Sequence, residues 1–170
     1  TYVEPITPDF VARIIERDHT VWRNDPTEIA NRLGWLDSPT IMRDKVEEIR
    51  TLIDAVRNDG YTHALLLGMG GSSLAPEVFR EVFGVAEGYL DLAVLDSTHP
   101  DAILAKAHAL DPAKTLFLPA TKSGGTVETL SFLKYFYNKT AAIFSRETTG
   151  QHFAAITDPG SGLEEMAGHL

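Results

Sequence analysis

The stretch Thr115-Leu116-Phe117-Leu118-Pro119-Ala120-Thr121-Lys122-Ser123-Gly124-Gly125-Thr126-Val127-Glu128-Thr129 constrains the fold more than any other part of the chain. Its first residues are an apolar run bounded by Pro and small residues, which reads as a buried parallel strand. From Val127 apolar residues recur at Leu130, Leu133, Phe136 and Tyr137, the spacing of a helix. The loop between them carries one cation, Lys122, with Gly124, Gly125 and the hydroxyls of Thr121, Ser123 and Thr126. Glycine lets backbone approach a ligand closely, and a helix N-terminus offers unpaired N–H groups and a partial positive charge. An anion fits such a loop, and phosphate fits best. The simpler alternative is that Ser123 or Thr126 only caps the helix. Lys122 argues against it, because a cation at the positive end of a helix is unfavourable unless an anion joins them.

The same grammar surrounds this unit. His63–Leu67 is a short apolar run, followed by Gly68-Met69-Gly70-Gly71-Ser72-Ser73 and a helix through Val78, Phe79 and Val82. Tyr89–Leu95 reads as the second strand, Asp96-Ser97-Thr98-His99-Pro100 as a loop, and Ile103, Leu104 and Leu110 as the next helical stripe. His152–Ile156 reads as a fourth strand, Thr157-Asp158-Pro159-Gly160 as a turn, and Ser161-Gly162-Leu163-Glu164 as a capping box opening a last helix. Strands alternating with helices predict an α/β fold with a doubly wound parallel sheet. In the flavodoxin-like strand order 2-1-3-4-5 the first and third strands are neighbours at the switch point where ligands bind. Their loops then face one crevice, with Gly70, Gly71 and Ser72 on one side and Thr121 to Thr126 on the other.

Residues 1–60 read as all-helical. Thr7-Pro8-Asp9 and Asp25-Pro26-Thr27-Glu28 are helix starts, and Gly34 is a stop for the second. Ser38-Pro39 opens a third helix with a stripe of Met42, Val46, Ile49, Ile53 and Val56. His19, Trp22 and Trp35 are expected to pack rather than to form a site. The expected division is a helical leader, 1–60, packing on an α/β domain, 61–170. Thr1 in place of Met and an end at Leu170 inside a helix suggest a piece of a longer protein, with the sheet's last strand outside it.

The net charge of −9 disfavours nucleic acid, which demands a basic face, but leaves room for a small phosphorylated ligand. The chain has no cysteine, and its histidines at 63, 99, 108, 152 and 169 show no metal-ligand spacing, so no metal site is expected. No apolar run approaches the roughly 18–20 residues that span a membrane, which makes the cytoplasm the default expectation. A dinucleotide site competes for the first loop. Gly68-Met69-Gly70 follows a strand and Asp96 ends the next, although Ser73 holds the third glycine position. That reading leaves Thr121 to Thr126 without a task. A Walker A loop fits worse, since Lys122 precedes its glycines. His99 is a weaker candidate for the crevice, and Asp44, Glu47 and Glu48 read as a solvated helix face.

Gly68-Met69-Gly70-Gly71-Ser72 and Thr121-Lys122-Ser123-Gly124-Gly125-Thr126-Val127-Glu128-Thr129 resemble the two phosphate-binding signatures of glucose-6-phosphate isomerases, which carry them on a sugar isomerase (SIS) domain. The leader Glu16-Arg17-Asp18-His19-Thr20-Val21-Trp22, with Pro26-Thr27-Glu28-Ile29 and Leu33-Gly34-Trp35-Leu36, is similar to the entry to the isomerase half of bifunctional transaldolase–glucose-6-phosphate isomerases. The resemblance implies that Gly71 and Ser72 touch the substrate. It implies that Thr121, Lys122, Ser123 and Thr126 hold a hexose 6-phosphate, with N–H groups from Gly124 and Gly125. Thr121 stands where many relatives have Ser, and the Gly124-Gly125 pair departs from the common pattern; neither change removes a donor. The family's catalytic glutamate, histidine, lysine and arginine come from segments outside these residues, so this chain is expected to bind without catalysing. No metal or organic cofactor and no membrane is implied, and a homodimer would form through the longer parent. A sugar-phosphate sensor on the same domain is the alternative of a different class.

Overall fold

The computed structural model describes residues 8–169 and divides the chain into two compact units, 1–52 and 53–170.

In the first unit, α1 spans Pro8–Ile15, with Asp9 in its first turn as the start signal requires. Thr7, its expected cap, lies outside the described residues. The second expected helix does not form from Thr27. The Asp25 carboxylate accepts the Thr27 N–H at 2.9 Å, and Glu28 sits at φ 60°, in the left-handed region where a helix cannot run. A 3₁₀ segment, Ala30–Asp37, runs through Gly34 instead of stopping there, and Leu33 is its buried residue. Trp22 and Trp35, expected to pack, are about half exposed (47% and 58%). They line a groove of about 590 Å³ with Arg23, Glu28, Ile29, Arg32 and Leu33. Helix α2, Ser38–Asn58, opens at Ser38-Pro39 and continues into the second unit. Of its stripe only Val56 is buried; Met42, Val46 and Ile49 are exposed.

The second unit is built on β1 (His63–Gly68), β2 (Asp91–Leu95) and β3 (Thr115–Ala120), all parallel, in the order β2-β1-β3. The crossovers are α3 (Gly71–Phe83) and α4 (Pro100–Ala109), and α5 (Val127–Ala141) follows β3. The continuous apolar runs are explained by burial: Leu65, Leu67, Leu95 and Phe117 join Ala107 of α4 and Phe132 and Phe136 of α5 in one cluster. Leu66, Val94 and Ala120 form a smaller cluster with Leu92 and Leu118. Tyr89 falls outside β2, in a turn where its ring lies 4.3 Å under the Arg57 guanidinium. Leu74, Val78, Phe79, Val82 and Phe83 leave one side of α3 apolar and exposed.

The fourth strand is present in place but broken. Residues 153–156 run parallel to β3, with Ala154 N–H to Phe117 C=O at 3.0 Å, Ile156 N–H to Pro119 C=O at 2.9 Å, and Thr121 N–H to Ile156 C=O at 3.0 Å. A regular parallel ladder would add a bond from residue 119 to Ala154. Pro119 has no N–H to give it, so the pairing splits into isolated bridges at Phe117–Phe153 and Ala120–Ile156. The positional order therefore matches the 2-1-3-4 part of the expected sheet. Two short helices complete the unit, α6 (Arg146–Thr149) and α7 (Gly162–Ala167). As expected for a capping residue, Ser161 Oγ accepts the Glu164 N–H at 3.2 Å, while the Glu164 carboxylate reaches back to the Gly160 N–H.

His152 is buried against the Phe144 ring at 4.5 Å and shares a 3.1 Å hydrogen bond with the Tyr61 hydroxyl. Burial holds its imidazole below the ordinary histidine pKa, because a charge there loses its hydration. The unfolded chain therefore takes up the proton first. Stability from this group is present above about pH 6.5 and lost as pH falls through the depressed folded value. His152→Gln should flatten the acid side of a stability profile measured by urea unfolding below about pH 6.5. An unchanged slope would mean that other groups set it.

Candidate functional site

The register pairs Gly68 with Ala120 at the carboxyl ends of β1 and β3, so the two glycine-rich loops leave the sheet side by side. Adjacent parallel strands lie about 4.8 Å apart, which puts both loops at one end of the sheet. On the β1 side Gly70 has φ 54° and ψ −122°, a conformation that favours glycine, and no side chain caps α3. Gly70 C=O accepts the N–H groups of Ser73 and Leu74 and the Ser73 hydroxyl, each at 3.0 Å. Ser73 is thereby fully buried as a structural residue. Gly71 is exposed, with no atom within 4 Å of where a Cβ would stand, and Ser72 is half-buried.

On the β3 side the loop is held from within. Thr121 is 3% exposed; its Oγ1 lies 2.7 Å from Thr126 Oγ1, and its C=O accepts Thr157 Oγ1 at 2.7 Å and Gly124 N–H at 3.3 Å. Thr126 is therefore the more exposed hydroxyl of the pair. Ser123 Oγ accepts the Gly125 N–H at 3.3 Å. Neither Thr126 nor Ser123 caps α5: Thr126 stands at the cap position and makes no side-chain bond to the helix. The capping alternative is thus set aside by geometry. Leu130 N–H closes the first turn onto Thr126 C=O at 3.0 Å, and the N–H groups ahead of it belong to the open, positive end of a helix fifteen residues long. Lys122 is exposed, and its ammonium has no partner among the described residues.

What can this arrangement do chemically? It gathers an unpaired cation, a helix N-terminus without a side-chain cap, and several hydroxyls within six residues, all of which favour an anion. His99, at the end of the edge strand β2, is occupied in capping α4, where Nδ1 accepts the Asp101 N–H at 3.3 Å. Asp96, the acid of the dinucleotide reading, is exposed on that same edge. Two cavities among the described residues are lined by residues outside the two loops. The groove at Trp22 and Trp35 belongs to the first unit, and a void of about 40 Å³ lies behind β3 between Pro119, Leu133, Phe153 and Leu163. No group of three or more His, Cys, Asp or Glu among the described residues is placed to hold a metal.

Sequence reasoning missed the Thr157–Ser161 turn as part of this region. Thr157 Oγ1 is also 2.7 Å from Ser161 Oγ, and Asp158 N–H reaches Lys122 C=O at 3.3 Å. The signal lay in the position of Thr157, directly after the fourth strand and hence at the same end of the sheet.

A model of the phosphoglucose isomerase family matches residues 18–167. A glucose-6-phosphate isomerase of Thermus thermophilus is 34% identical over 135 residues, which cover 79% of this chain and 31% of that protein. One from Synechococcus sp. (strain JA-2-3B'a(2-13)) is 30% identical over 156 residues, 78% of this chain and 28% of its own. The chain thus spans about a third of the length of these curated relatives. Among solved structures, a hypothetical protein of Thermus thermophilus superposes with a TM-score of 0.68 at 30% identity, covering 94% of this chain and 39% of the other. A glucose-6-phosphate isomerase from Chlamydia trachomatis has the same fold, with a TM-score of 0.63 at 21% identity over 91% of this chain and 28% of the other. With the family model spanning most of the chain and the two loops at one end of a parallel sheet, this chain belongs to the phosphoglucose isomerase family.

Proposed function

We propose that this chain is the sugar-phosphate-binding part of a glucose-6-phosphate isomerase, whose whole protein interconverts glucose 6-phosphate and fructose 6-phosphate. The observation that supports this most is the Thr121–Thr126 loop, where the unpartnered Lys122 ammonium stands beside the uncapped N-terminus of α5. In this reading Lys122, Ser123 and Thr126 hold the 6-phosphate with the N–H groups of Gly124 and Gly125. Thr121 holds Thr126 in place, and Gly71 and Ser72 approach the sugar from the β1 side. A fixed phosphate positions the opened sugar, and positioning can supply several kcal/mol of the barrier to proton transfer between C1 and C2. The base for that transfer lies outside this chain, as do the contacts through which two copies of the whole protein would pair. The reaction needs no metal or organic cofactor in this reading. The site of action is the cytoplasm; no helix among the described residues is long and apolar enough to cross a membrane.

The test is a titration of this chain with glucose 6-phosphate, inorganic phosphate and NAD, following the amide resonances of Gly71 and Ser123. Both phosphates should shift them, with affinities near millimolar, about −4 kcal/mol, and NAD should not. A charge-assisted hydrogen bond contributes about 1.5–3 kcal/mol, so Lys122→Ala should weaken sugar-phosphate binding roughly ten- to 150-fold with little loss of stability. Shifts from NAD alone, or unchanged affinity in Lys122→Ala, would overturn the reading.

A further inference from the structure

The phosphate loop does not hold its shape alone. Thr157 Oγ1 has one proton, and the 2.7 Å contact with the Thr121 carbonyl is where it goes. The 2.7 Å contact between Thr157 Oγ1 and Ser161 Oγ must then be donated by Ser161, whose oxygen in turn accepts the Glu164 N–H at 3.2 Å. The bonds therefore run in one direction, from the N–H at the start of α7 through two hydroxyls into the backbone of the loop. Bonds aligned in this way polarise one another. The carbonyl at the end of the chain belongs to the residue whose own hydroxyl meets Thr126 at 2.7 Å. Beside this chain, Asp158 N–H holds Lys122 C=O at 3.3 Å, and Gly124 lies against the backbone of Gly162 and Leu163. Three successive parts of the loop are thus fixed by one short segment, residues 157–163.

We propose that Thr157 is a positioning residue for the anion site: its hydroxyl, set by Ser161, fixes the Thr121 carbonyl and thereby the direction in which Thr126 and the N–H groups of the loop point. This rests on the phosphate reading of the loop and adds to it a residue from outside the loop. A threonine is suited to the task, because its methyl group restricts rotation about the Cα–Cβ bond and so limits the directions of the hydroxyl.

The experiment uses the described chain and inorganic phosphate as the probe, read by the amide shifts of Ser123 to Thr126. Thr157→Val keeps the shape and removes the hydroxyl; loss of one neutral hydrogen bond should weaken phosphate binding roughly three- to tenfold. Thr157→Ser restores the donor and should bind within about twofold of the parent. Thr149→Val is the control for general weakening of the fold. Thr149 is a fully buried threonine at the end of α6, donating to Ser145 C=O at 2.8 Å, whereas Thr157 is half-buried. It should lower stability and leave phosphate affinity unchanged. The Gly124 amide, which bonds to the same Thr121 carbonyl, should also exchange with solvent faster in Thr157→Val and not in Thr149→Val. If Thr157→Val binds phosphate as the parent does, or if Thr149→Val loses as much, the positioning role is overturned while the phosphate reading stands. If the parent chain shows no phosphate shift at all, both are overturned.

Discussion

Phe117→Ala should cost this chain about 3–5 kcal/mol of stability, the range for emptying a well-packed aromatic site. Phe117 is 1% exposed in the middle of β3, and its ring is stacked between two others. Phe136 of α5 lies 5.2 Å away at 29°, and Phe153 lies 4.9 Å away at 20°. Offset pairs of this kind contribute about 0.5–1.5 kcal/mol each beyond the area they bury. Against a total of roughly 5–15 kcal/mol for a small domain, the loss would bring the chain near its limit. Phe117→Leu, which keeps most of the volume, is the milder companion and should stay folded. Urea unfolding of both variants gives the measurement. A loss below about 1.5 kcal/mol for Phe117→Ala would mean that the neighbours collapse into the space and that the ring does not set the core. A local consequence should accompany the global one. Because Pro119 breaks the ladder, Phe153 is tied to the sheet as much by its ring as by its backbone, so the amides of Ala154 and Ile156 should lose exchange protection first.

The parts of the molecule that could be read from residue types are those set by local chemistry. The parallel strands follow from apolar runs at His63–Leu67 and Thr115–Ala120, and α2 begins at the Ser38-Pro39 start as expected. The start at Asp25-Pro26-Thr27-Glu28 has the same signals but a different outcome. There the aspartate closes a turn onto Thr27, and Glu28 takes a left-handed conformation and pairs its carboxylate with Arg32. A cap residue and a turn residue are the same residue until its neighbours decide. The fourth strand failed for another reason. Pro119 was visible, but the side of β3 on which its missing N–H falls depends on register, which becomes known only when β1 has taken the other side.

The loops themselves were read from composition, and their placement from strand order. What could not be read is who holds them. That Thr121 turns its carbonyl to Thr157, or that its hydroxyl serves Thr126, depends on pairs of residues up to thirty-six apart in sequence. Gly124 shows the same limit. Sequence reasoning gave it the task of offering an N–H to a ligand. The structure adds a steric requirement from the far side.

Gly124→Ala should therefore be the most damaging single-atom change in the loop. Gly124 has φ 71°, where an L-residue costs about 1–2 kcal/mol. The new Cβ would stand 2.7 Å from Leu163 N, 2.7 Å from Ser161 Cβ and 2.9 Å from Gly162 N. Two of these are backbone atoms at the start of α7, and Leu163 is 1% exposed, so the helix cannot yield without unpacking its anchor. Overpacking of this kind adds about 1–3 kcal/mol, for a total near 2–5 kcal/mol. Gly125→Ala is the internal control. Its φ lies outside the left-handed range and its Cβ would meet nothing closer than Ser123 Oγ at 3.9 Å, so it should fall within about 0.5 kcal/mol of the parent, as surface substitutions do. The chain can answer the clash in two ways, and they read differently. If α7 gives way, thermal unfolding falls while the Gly124–Thr121 bond stays, and phosphate affinity falls by no more than in Thr157→Val, since only the Ser161 link to the loop is disturbed. If the loop gives way, the Gly124 amide loses its bond to Thr121 C=O, and phosphate affinity falls with little change in stability. Since Thr121 is held by Ile156 and Thr157 as well as by Gly124, the loop has the more numerous restraints, and α7 should be the part that moves. A Gly124→Ala chain as stable as Gly125→Ala would show that the contact between the loop and α7 is looser than 2.7 Å implies.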